Sequence, residues 1–355
     1  MQPLDTITQF IADAGFNCVR LTYSIDLALN PDELVSDSFA AAATETGEAG
    51  LVDVYASAVK KNAWLAKSTT RNVYAEIITS LNAQGIMVVL DNHNSHASWC
   101  CSNTDGNGWW DEAAGYTPEN SQYFNTANWL KGLASMATFA VDYPNVIGLA
   151  LRNELRPTGD QDGDDHADWY NFQSQGASAI HKAHPDALVI IGGTNYAIDL
   201  SFYGSKQLDL AAIGIATKTV FEFHSYTWSN TYTTTDCAAY KTLLGDQVGY
   251  LLAEGKAYTA PVWLSEFGWA QDSYAATDAY YRDCLVEYMD GNDGDWAYWA
   301  LQGSYYVRNG INTGESYGLL NDDWSGWRNE SFTKTIGNMM GVVSGPGVTA
   351  TAVVA

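Results

Sequence analysis

Positive charge and long apolar runs are both scarce in this sequence. Its 355 residues include 17 Lys and Arg against 41 Asp and Glu, which gives a formal net charge of −24 at pH 7. An acidic surface of this kind repels phosphate backbones, so we expect no nucleic-acid partner. No apolar run reaches the roughly 18 residues that a membrane helix needs, so we expect no membrane span. An acidic chain suits a neutral substrate and stays soluble.

Motifs that would indicate several other classes of protein are missing too. Gly106-Asn107-Gly108 does not match a phosphate-binding motif and predicts only a turn, which disfavours a doubly wound nucleotide-binding sheet. We find no internal repeat with a period of roughly 20 to 50 residues. The opening Met1-Gln2-Pro3-Leu4-Asp5 has no basic segment and no apolar core, so we predict no signal peptide in this chain.

Cysteine is present in an odd number, and the five residues are Cys18, Cys100, Cys101, Cys237 and Cys284. At least one thiol must therefore remain free, and we expect it to be Cys18, which lies inside a predicted strand and should be buried. The other four can form one or two disulfides, and we favour the Cys237–Cys284 pair. Disulfides, few Lys and many Trp together favour an extracellular protein, although this chain carries no signal peptide.

Apolar runs and amphipathic segments alternate along the chain, which is typical of parallel βαβ units. We predict strands at 16–22, 86–92, 146–153, 187–193, 219–226, 261–267 and 296–302. We predict helices at 5–14, 71–84, 125–142, 169–184, 238–254 and 275–290. The alternation predicts an α/β fold, a (β/α)8 TIM barrel.

The predicted strands number seven where a closed barrel of this kind has eight. We expect that the first strand is missing from this chain; the alternative is that another segment covers the gap. We assign residues 1–337 to the barrel domain and 338–355 to a C-terminal tail that can pack on the barrel. Residues 23–70 are expected to form a long irregular insert, with a helical alanine run at 41–44.

Two glutamates stand at the ends of apolar runs and are the strongest indication of function. Glu154 closes the run that begins at Val146, and Glu266 closes the run that begins at Pro261. Carboxylates at the carboxyl ends of barrel strands lie where such barrels build active sites. Two of them facing one cleft are the groups needed to cleave a glycosidic bond.

Other chemically active side chains gather at the same strand ends. They are Arg20, His93, Asn153, His224, Tyr226 and Trp299. With the two glutamates they resemble the motif residues of glycoside hydrolase family 5, a clan A family of retaining β-glycosidases with a (β/α)8 barrel. The resemblance covers roughly residues 5–337. Trp-Cys-Cys-Ser at 99–102 and Asp-Gly-Asn-Gly-Trp at 105–109 resemble a cellulase-like branch seen in fungi and plants.

The resemblance implies a double-displacement mechanism in which Glu266 is the nucleophile and Glu154 the acid/base. The family usually has Pro after the acid/base residue, whereas this chain has Leu155, which affects the turn and not the chemistry. The implied supporting roles are Arg20 and Tyr226 as hydrogen-bond donors to the nucleophile, Asn153 as a ligand of the sugar 2-hydroxyl, His224 as the group that tunes the acid/base, and Trp299 as the floor of the −1 subsite.

The substrate that the resemblance implies is a β-1,4-linked polysaccharide, and an endo-β-1,4-glucanase is the preferred activity. A β-mannanase and an exo-acting β-glucosidase remain alternatives. A protein of another class, a catalytically impaired carbohydrate-binding protein, is a further alternative because the first strand is missing. We expect a monomer without a cofactor.

Several further residues are weaker candidates for the site. His96, Trp110 and Trp269 lie in loops after predicted strands, as do Trp99, Trp109 and Trp228. The tryptophans are candidate platforms for sugar rings, with local packing as the alternative. His93 and His96 lie three apart but have no third placed ligand, and the acidic loop 160–165 lacks the bidentate Glu of a calcium site. We therefore predict no metal.

Overall fold

The structure is a computed structural model that describes residues 2–229, 236–273, 275–292, 294–308 and 311–342. Seven parallel strands follow one another in chain order around a nearly closed barrel. The strands are β1 (Cys18–Ser24), β2 (Met87–Asn94), β3 (Val146–Ala150), β4 (Leu188–Gly192), β5 (Thr219–Ser225), β6 (Val262–Phe267) and β7 (Asp295–Tyr298). The predicted barrel is confirmed, and so are the predicted strands, with shifted ends.

Helices lie between the barrel strands and in the insert after β1. They are α1 (Leu4–Asp13), α2 (Ile25–Leu29), α3 (Val35–Thr46), α4 (Leu51–Lys61), α5 (Thr70–Ala83), α6 (Pro118–Ser121), α7 (Thr126–Ala140), α8 (Ala167–Ala183), α9 (Thr194–Ala197), α10 (Leu210–Ile213), α11 (Cys237–Gln247), α12 (Ala276–Gly291), α13 (Phe332–Thr335) and α14 (Gly337–Val342). A separate antiparallel hairpin pairs β8 (Ser304–Arg308) with β9 (Ile311–Gly314). No described helix combines the length and the apolar character needed to cross a membrane.

Strands β2 to β6 bury both of their faces, which explains their nearly continuous apolar sequences, whereas β1 and β7 at the open edge are mostly half-buried. Inside the barrel, Val89, Ala150, Ile190 and Trp263 form a small cluster. The neighbouring strand residues point outwards and join a much larger core beneath the helices. Successive side chains of a strand alternate in direction, so a single strand contributes to both cores.

Two buried tryptophans connect helices to the ends of strands. The Trp129 indole on α7 donates a hydrogen bond to the Leu151 carbonyl at 2.9 Å, just beyond β3. The Trp169 indole on α8 donates to the Gly192 carbonyl, the last residue of β4, at 3.1 Å. Both side chains are fully buried, so each bond satisfies a carbonyl that water cannot reach. The helices thereby fix strand ends on the face of the barrel that carries the candidate site.

The insert after β1 is helical, so the prediction of an irregular segment at 23–70 is wrong. Helices α2, α3 and α4 occupy most of it, and the alanine run falls inside α3 as predicted. In α4, Leu51 and Ala58 are buried and Val54 and Tyr55 are half-buried. Their spacing follows the 3.6-residue period of a helix, and the sequence interpretation overlooked it.

A cavity of about 280 Å³ lies between β1 and β7, the two edges that complete the ring. Its lining includes Cys18 and Arg20 from β1, Trp296 from β7, and Met339 from α14. Among the described residues no other strand joins these edges. The predicted tail begins at α14, where the Met339 carbonyl accepts a hydrogen bond from the Trp296 indole at 3.3 Å. Residues 343–355 of that tail lie outside the described residues, and the domain division stays a prediction.

The cysteines pair largely as predicted. Cys237 at the start of α11 forms a disulfide with Cys284 on α12. A second disulfide joins the adjacent residues Cys100 and Cys101. Cys18 is free, but it is only half-buried because it faces the cavity. Desolvation nevertheless raises the pKa of the Cys18 thiol to about 12.

The contact between α7 and α8 gives a direct test of packing. A methyl group added at Gly176 of α8 would overlap the Trp129 ring, whereas one added at Gly245 of α11 would meet nothing within 4 Å. We expect Gly176→Val to lower the free energy of unfolding by about 1–3 kcal/mol more than the control Gly245→Val, because only the former overpacks a core. Urea titrations of both variants measure the difference, and equal losses would contradict this account of the interface.

Candidate active site

The residues singled out in the sequence come together at the carboxyl ends of the strands. Arg20 lies on β1, His93 on β2, His224 on β5 and Glu266 on β6. Asn153 and Glu154 follow β3, Tyr226 follows β5, and Trp299 follows β7. Parallel strands place these positions at one rim of the barrel, except for Arg20, which lies lower on β1 and reaches Glu266 with its side chain.

The two glutamates face each other across this rim. A carboxylate oxygen of Glu154, a carboxylate oxygen of Glu266 and a ring nitrogen of His224 all lie within 4.8 Å of one another. All three side chains are buried. Carboxyl groups this close, and withdrawn from water, cannot both carry a charge at little cost.

Glu266 is surrounded by hydrogen-bond donors. Arg20 Nη1 lies 3.1 Å from Glu266 Oε2, and the Tyr226 hydroxyl donates to Glu266 Oε1 at 2.7 Å. One donor is a cation, and together the two donors fix the orientation of the carboxylate. Burial raises the pKa of Tyr226 well above its ordinary value, and the neighbouring Glu266 raises it further. The phenol therefore keeps its proton.

Glu154 has a different environment. Its Oε1 lies 3.0 Å from His224 Nδ1, and the side chain makes no bond to a cation among the described contacts. Burial raises the pKa of Glu154 to about 7, although Arg156, His93 and Arg20 partly offset it. Burial also lowers the pKa of His224, so this imidazole is neutral near pH 7. Glu154 is therefore the carboxyl group of the pair that burial favours in its protonated form towards neutral pH.

The backbone at Glu154 explains how two consecutive side chains reach the same cleft. Strand β3 ends at Ala150, and Glu154 has a φ of 46°, in the left-handed region that few non-glycine residues adopt. Arg156 Nη1 holds this turn by donating to the Glu154 carbonyl at 2.9 Å. The conformation breaks the alternation of a strand, so Asn153 and Glu154 both face the barrel mouth. Unfavourable backbone of this kind is typical of functional positions.

Two buried acids below the rim were missed in the sequence. Arg20 Nη2 lies 3.0 Å from Asp91 Oδ1 and 3.7 Å from Glu222 Oε2. Both acids are fully buried. Desolvation would raise the pKa of Asp91, but Arg20 and the histidines His93 and His224 together outweigh it, so the pKa of Asp91 is lowered. At Glu222 desolvation prevails, and the pKa of that carboxyl group is raised. An acid inside an apolar strand is itself a signal, because acids are rarely buried without a partner.

Asp91 also connects the cation to the opposite wall. His93 Nδ1 lies 2.7 Å from Asp91 Oδ2, and the His93 ring stacks on Trp299 with centroids 5.5 Å apart and planes 8° apart. Trp299 is only half-buried, and its backbone N–H donates to the Phe267 carbonyl at 2.7 Å. This half-buried indole lines the same cavity as Glu266 and can support a sugar ring.

Two of the weaker candidates do not reach the rim. Trp110 is fully buried and packs against Phe124 and Phe172, while Trp269 is 5% exposed and packs against Tyr298. The interpretation of these tryptophans as sugar platforms is wrong, because their rings complete aromatic clusters of the core. Trp109 is fully buried as well.

His96 and Trp228 lie nearer to solvent. The His96 ring bonds Asp26 at 2.9 Å and makes no described contact with the two glutamates. Trp228 is 61% exposed and stacks on Tyr226 with centroids 4.6 Å apart. It therefore offers an aromatic face beside the residue that holds Glu266.

Two clusters among the described residues have ligand atoms close enough for a metal ion. One consists of Glu154, His224 and Glu266, and the other of Cys100, Cys101 and Glu154. Both use Glu154, which already bonds His224, and the two cysteines are tied to each other. The acidic loop 160–165 contributes to neither cluster. The expectation of a metal-free site stays a prediction.

Comparisons with known sequences agree with this geometry. The cellulase (glycosyl hydrolase family 5) model matches residues 1–304. A glycosyl hydrolase 5 family protein of Chamaecyparis obtusa is 32% identical over 352 residues, which are 97% of this chain and 60% of that protein. The major extracellular endoglucanase of Xanthomonas campestris is 25% identical over 90% of this chain and 59% of its own length. The chain thus spans about 60% of the length of the Chamaecyparis relative.

Solved structures share the fold at low sequence identity. An endocellulase of Pyrococcus horikoshii in complex with cellotetraose has a TM-score of 0.72 at 18% identity, covering 96% of this chain and 86% of that one. The catalytic domain of the Xanthomonas campestris endoglucanase has a TM-score of 0.70 at 21% identity, covering 96% and 88%. The structures show the fold, and the family model that matches residues 1–304 shows that this chain belongs to glycosyl hydrolase family 5, the cellulase family.

Proposed function

We propose that the protein is a retaining β-glycoside hydrolase that cleaves β-1,4-linked glucan chains internally. The observation that supports this most is the approach of the Glu154 and Glu266 carboxylates to within 4.8 Å. Inverting enzymes keep their carboxyl groups about 6.5–9.5 Å apart to admit a water molecule, whereas retaining enzymes bring them to about 5–5.5 Å. The spacing favours direct attack by a carboxylate.

In the proposed first step, Glu266 attacks the anomeric carbon of the sugar. Arg20 and Tyr226 bind two different oxygens of this carboxylate, which orients it for the attack. As the carbon–oxygen bond breaks, the protonated Glu154 gives its proton to the leaving oxygen. The products of this step are a glycosyl-enzyme ester and a free sugar hydroxyl.

In the second step, the ionised Glu154 takes a proton from water, which attacks the same carbon from the face that the leaving group vacated. The neutral His224 lies beside Glu154 and stabilises whichever protonation state the step requires, since an imidazole can donate or accept. Two inversions at one carbon give net retention.

Support for a glucan substrate comes from the relatives and from the aromatic surface. Two relatives carry the name endoglucanase, and the neighbouring Pyrococcus structure is a complex with cellotetraose. Trp299 lies at the carboxyl pair and the exposed Trp228 lies beside Tyr226, so the chain offers platforms for more than one sugar unit. We propose the endo-glucanase over the β-mannanase, the β-glucosidase and the impaired binding protein on these grounds.

We also propose that the protein works outside the cell. The Cys237–Cys284 disulfide is typical of an oxidising compartment. One relative is called a major extracellular endoglucanase.

Substitution of the two glutamates tests the assignment. We expect Glu154→Gln to lower kcat by about 10²–10⁴-fold, the usual contribution of a general acid–base. Glu266→Gln should lose turnover yet still bind cello-oligosaccharides in calorimetry, because it keeps the shape of the site. The exposed Glu112→Gln is the matched control and should behave as the wild type. Full activity of Glu266→Gln would contradict the proposal, as would a wild type that binds sugar without hydrolysing it.

The pH profile tests the proton on Glu154. Because the acid must be protonated in the first step and its pKa is raised to about 7, kcat/KM on a 4-methoxyphenyl β-cellobioside should fall tenfold per pH unit above that value. A 2,4-dinitrophenyl leaving group needs no proton, so that substrate should not show the falling limb. Identical alkaline limbs for both substrates would contradict the role of Glu154.

The stereochemistry and the substrate are tested together with soluble β-glucan, glucomannan, mannan and aryl glycosides. We expect the fastest hydrolysis on β-glucan, with the β-anomer formed first in a proton NMR time course, because two displacements retain configuration. Early release of the α-anomer would overturn the mechanism. Preference for mannan, or release of single glucose units alone, would favour one of the alternative activities.

A further inference from the structure

The adjacent pair Cys100–Cys101 lies against Asn153. Asn153 Nδ2 is 3.5 Å from Cys101 Sγ and 3.7 Å from Cys100 Sγ. Both sulfurs also lie within 4.8 Å of a Glu154 carboxylate oxygen. The disulfide thus borders the two residues that follow β3, on the wall of the proposed sugar site. Both cysteines are half-buried.

The orientation of the Asn153 amide follows from its other contact. Arg20 Nη2 donates to Asn153 Oδ1 at 2.8 Å. A guanidinium has no acceptor, so the carbonyl end of the amide must face Arg20 and the NH2 end must face the sulfurs. Sulfur accepts hydrogen bonds weakly, and the two sulfurs together take one of the two N–H bonds. The second N–H remains for the cleft.

The loop that carries the disulfide has its own supports. Arg156 Nη2 pairs with Asp105 at 2.6 Å, and Arg156 Nε donates to the Ser102 carbonyl at 2.8 Å. The same guanidinium donates to the Glu154 carbonyl at 2.9 Å. A single buried arginine therefore fixes the loop and the turn of Glu154 relative to each other. The sulfurs reach Asn153 as part of this unit.

We propose that the Cys100–Cys101 disulfide is a positioning element that orients the Asn153 amide towards the 2-hydroxyl of the sugar at the point of cleavage. The inference rests on the proposed glycosidase function and deepens it. The substrates concerned are β-glycosides with a free 2-hydroxyl. The disulfide acts through Asn153 and takes no part in the bond-breaking step.

A comparison of two substrates separates this role from a merely structural one. The variant Cys100→Ser/Cys101→Ser should lose about tenfold in kcat/KM on 4-nitrophenyl β-cellobioside, the equivalent of one hydrogen bond. On the analogue that lacks the 2-hydroxyl of the reacting sugar, its rate should match that of the wild type. Equal losses on both substrates, or no loss on either, would overturn the proposal.

Two controls make the result specific. Cys237→Ser/Cys284→Ser removes the distant disulfide and should have the same ratio of rates on the two substrates as the wild type. Asn153→Ala should show the same dependence as the Cys100→Ser/Cys101→Ser variant, and the triple variant should lose no more than Asn153→Ala alone, because both changes remove one interaction. Additive losses would mean that the disulfide acts elsewhere.

A chemical arm covers the case in which the double serine variant does not fold. In the Cys237→Ser/Cys284→Ser background, a water-soluble phosphine reduces the remaining disulfide to two thiols and is itself oxidised to the phosphine oxide, with water supplying the oxygen and the protons. We expect reduction to lower kcat/KM on the substrate with the 2-hydroxyl and to leave it unchanged on the analogue without it. If the ratio of these two kcat/KM values did not change on reduction, the inference would be overturned. Failure of the untreated wild type to hydrolyse either glycoside would instead refute the proposed function.

Discussion

The buried cation of Arg20 is the interaction on which the rest of the site depends. Its guanidinium contacts Asp91, Glu222, Glu266 and the carbonyl oxygen of Asn153. A charge in the barrel interior is tolerated only where opposite charges and hydrogen bonds replace its lost water. The carboxylates around it are acceptable for the same reason. Burial lowers and these acids raise the pKa of Arg20, and the acids prevail, so the cation is permanent. One residue of β1 thereby organises side chains from four other strands or strand ends.

The second buried arginine, Arg156, governs the other half of the site. It bonds the Glu154 carbonyl, the Ser102 carbonyl and Asp105, but not the Glu154 carboxyl group. This division produces the difference between the two glutamates. The Glu266 carboxylate bonds Arg20 directly. Arg156 instead bonds the backbone of Glu154, and the Glu154 carboxyl group lies beside the neutral His224. Identical side chains thus acquire different hydrogen-bond partners from the placement of two arginines.

The sequence predicted the barrel, and it predicted that eight side chains would come together at one rim, because both follow from local patterns. Buried strands give apolar runs, and polar side chains at the ends of those runs converge once the strands are parallel. Asp91 and Glu222 were not recognised because they lie inside apolar strands. Their contacts are with Arg20, which is distant in the sequence. Trp110 was misjudged because indoles of a core and of a cleft look alike in a sequence. The helices at 25–61 were missed although Leu51 to Ala58 have helical spacing. The left-handed turn of Glu154 could only be inferred as an irregularity, since nothing local to Asn153-Glu154 demands it.

The open edge between β1 and β7 gives the ion pair of Arg20 and Glu266 a structural role as well. Among the described residues, each barrel strand from β1 to β7 forms backbone hydrogen bonds with the next one in order. The ring does not close in this way, because β1 and β7 face each other across the cavity. Arg20 belongs to β1, and Glu266 belongs to β6, the neighbour of β7. Their 3.1 Å contact therefore connects the two sides of the open edge. In the proposed cycle Glu266 becomes an ester and carries no charge, so its ionic contact with Arg20 is lost for the lifetime of the intermediate. Under that proposal, the ionic contact across the open edge is weakest while one product leaves and water enters.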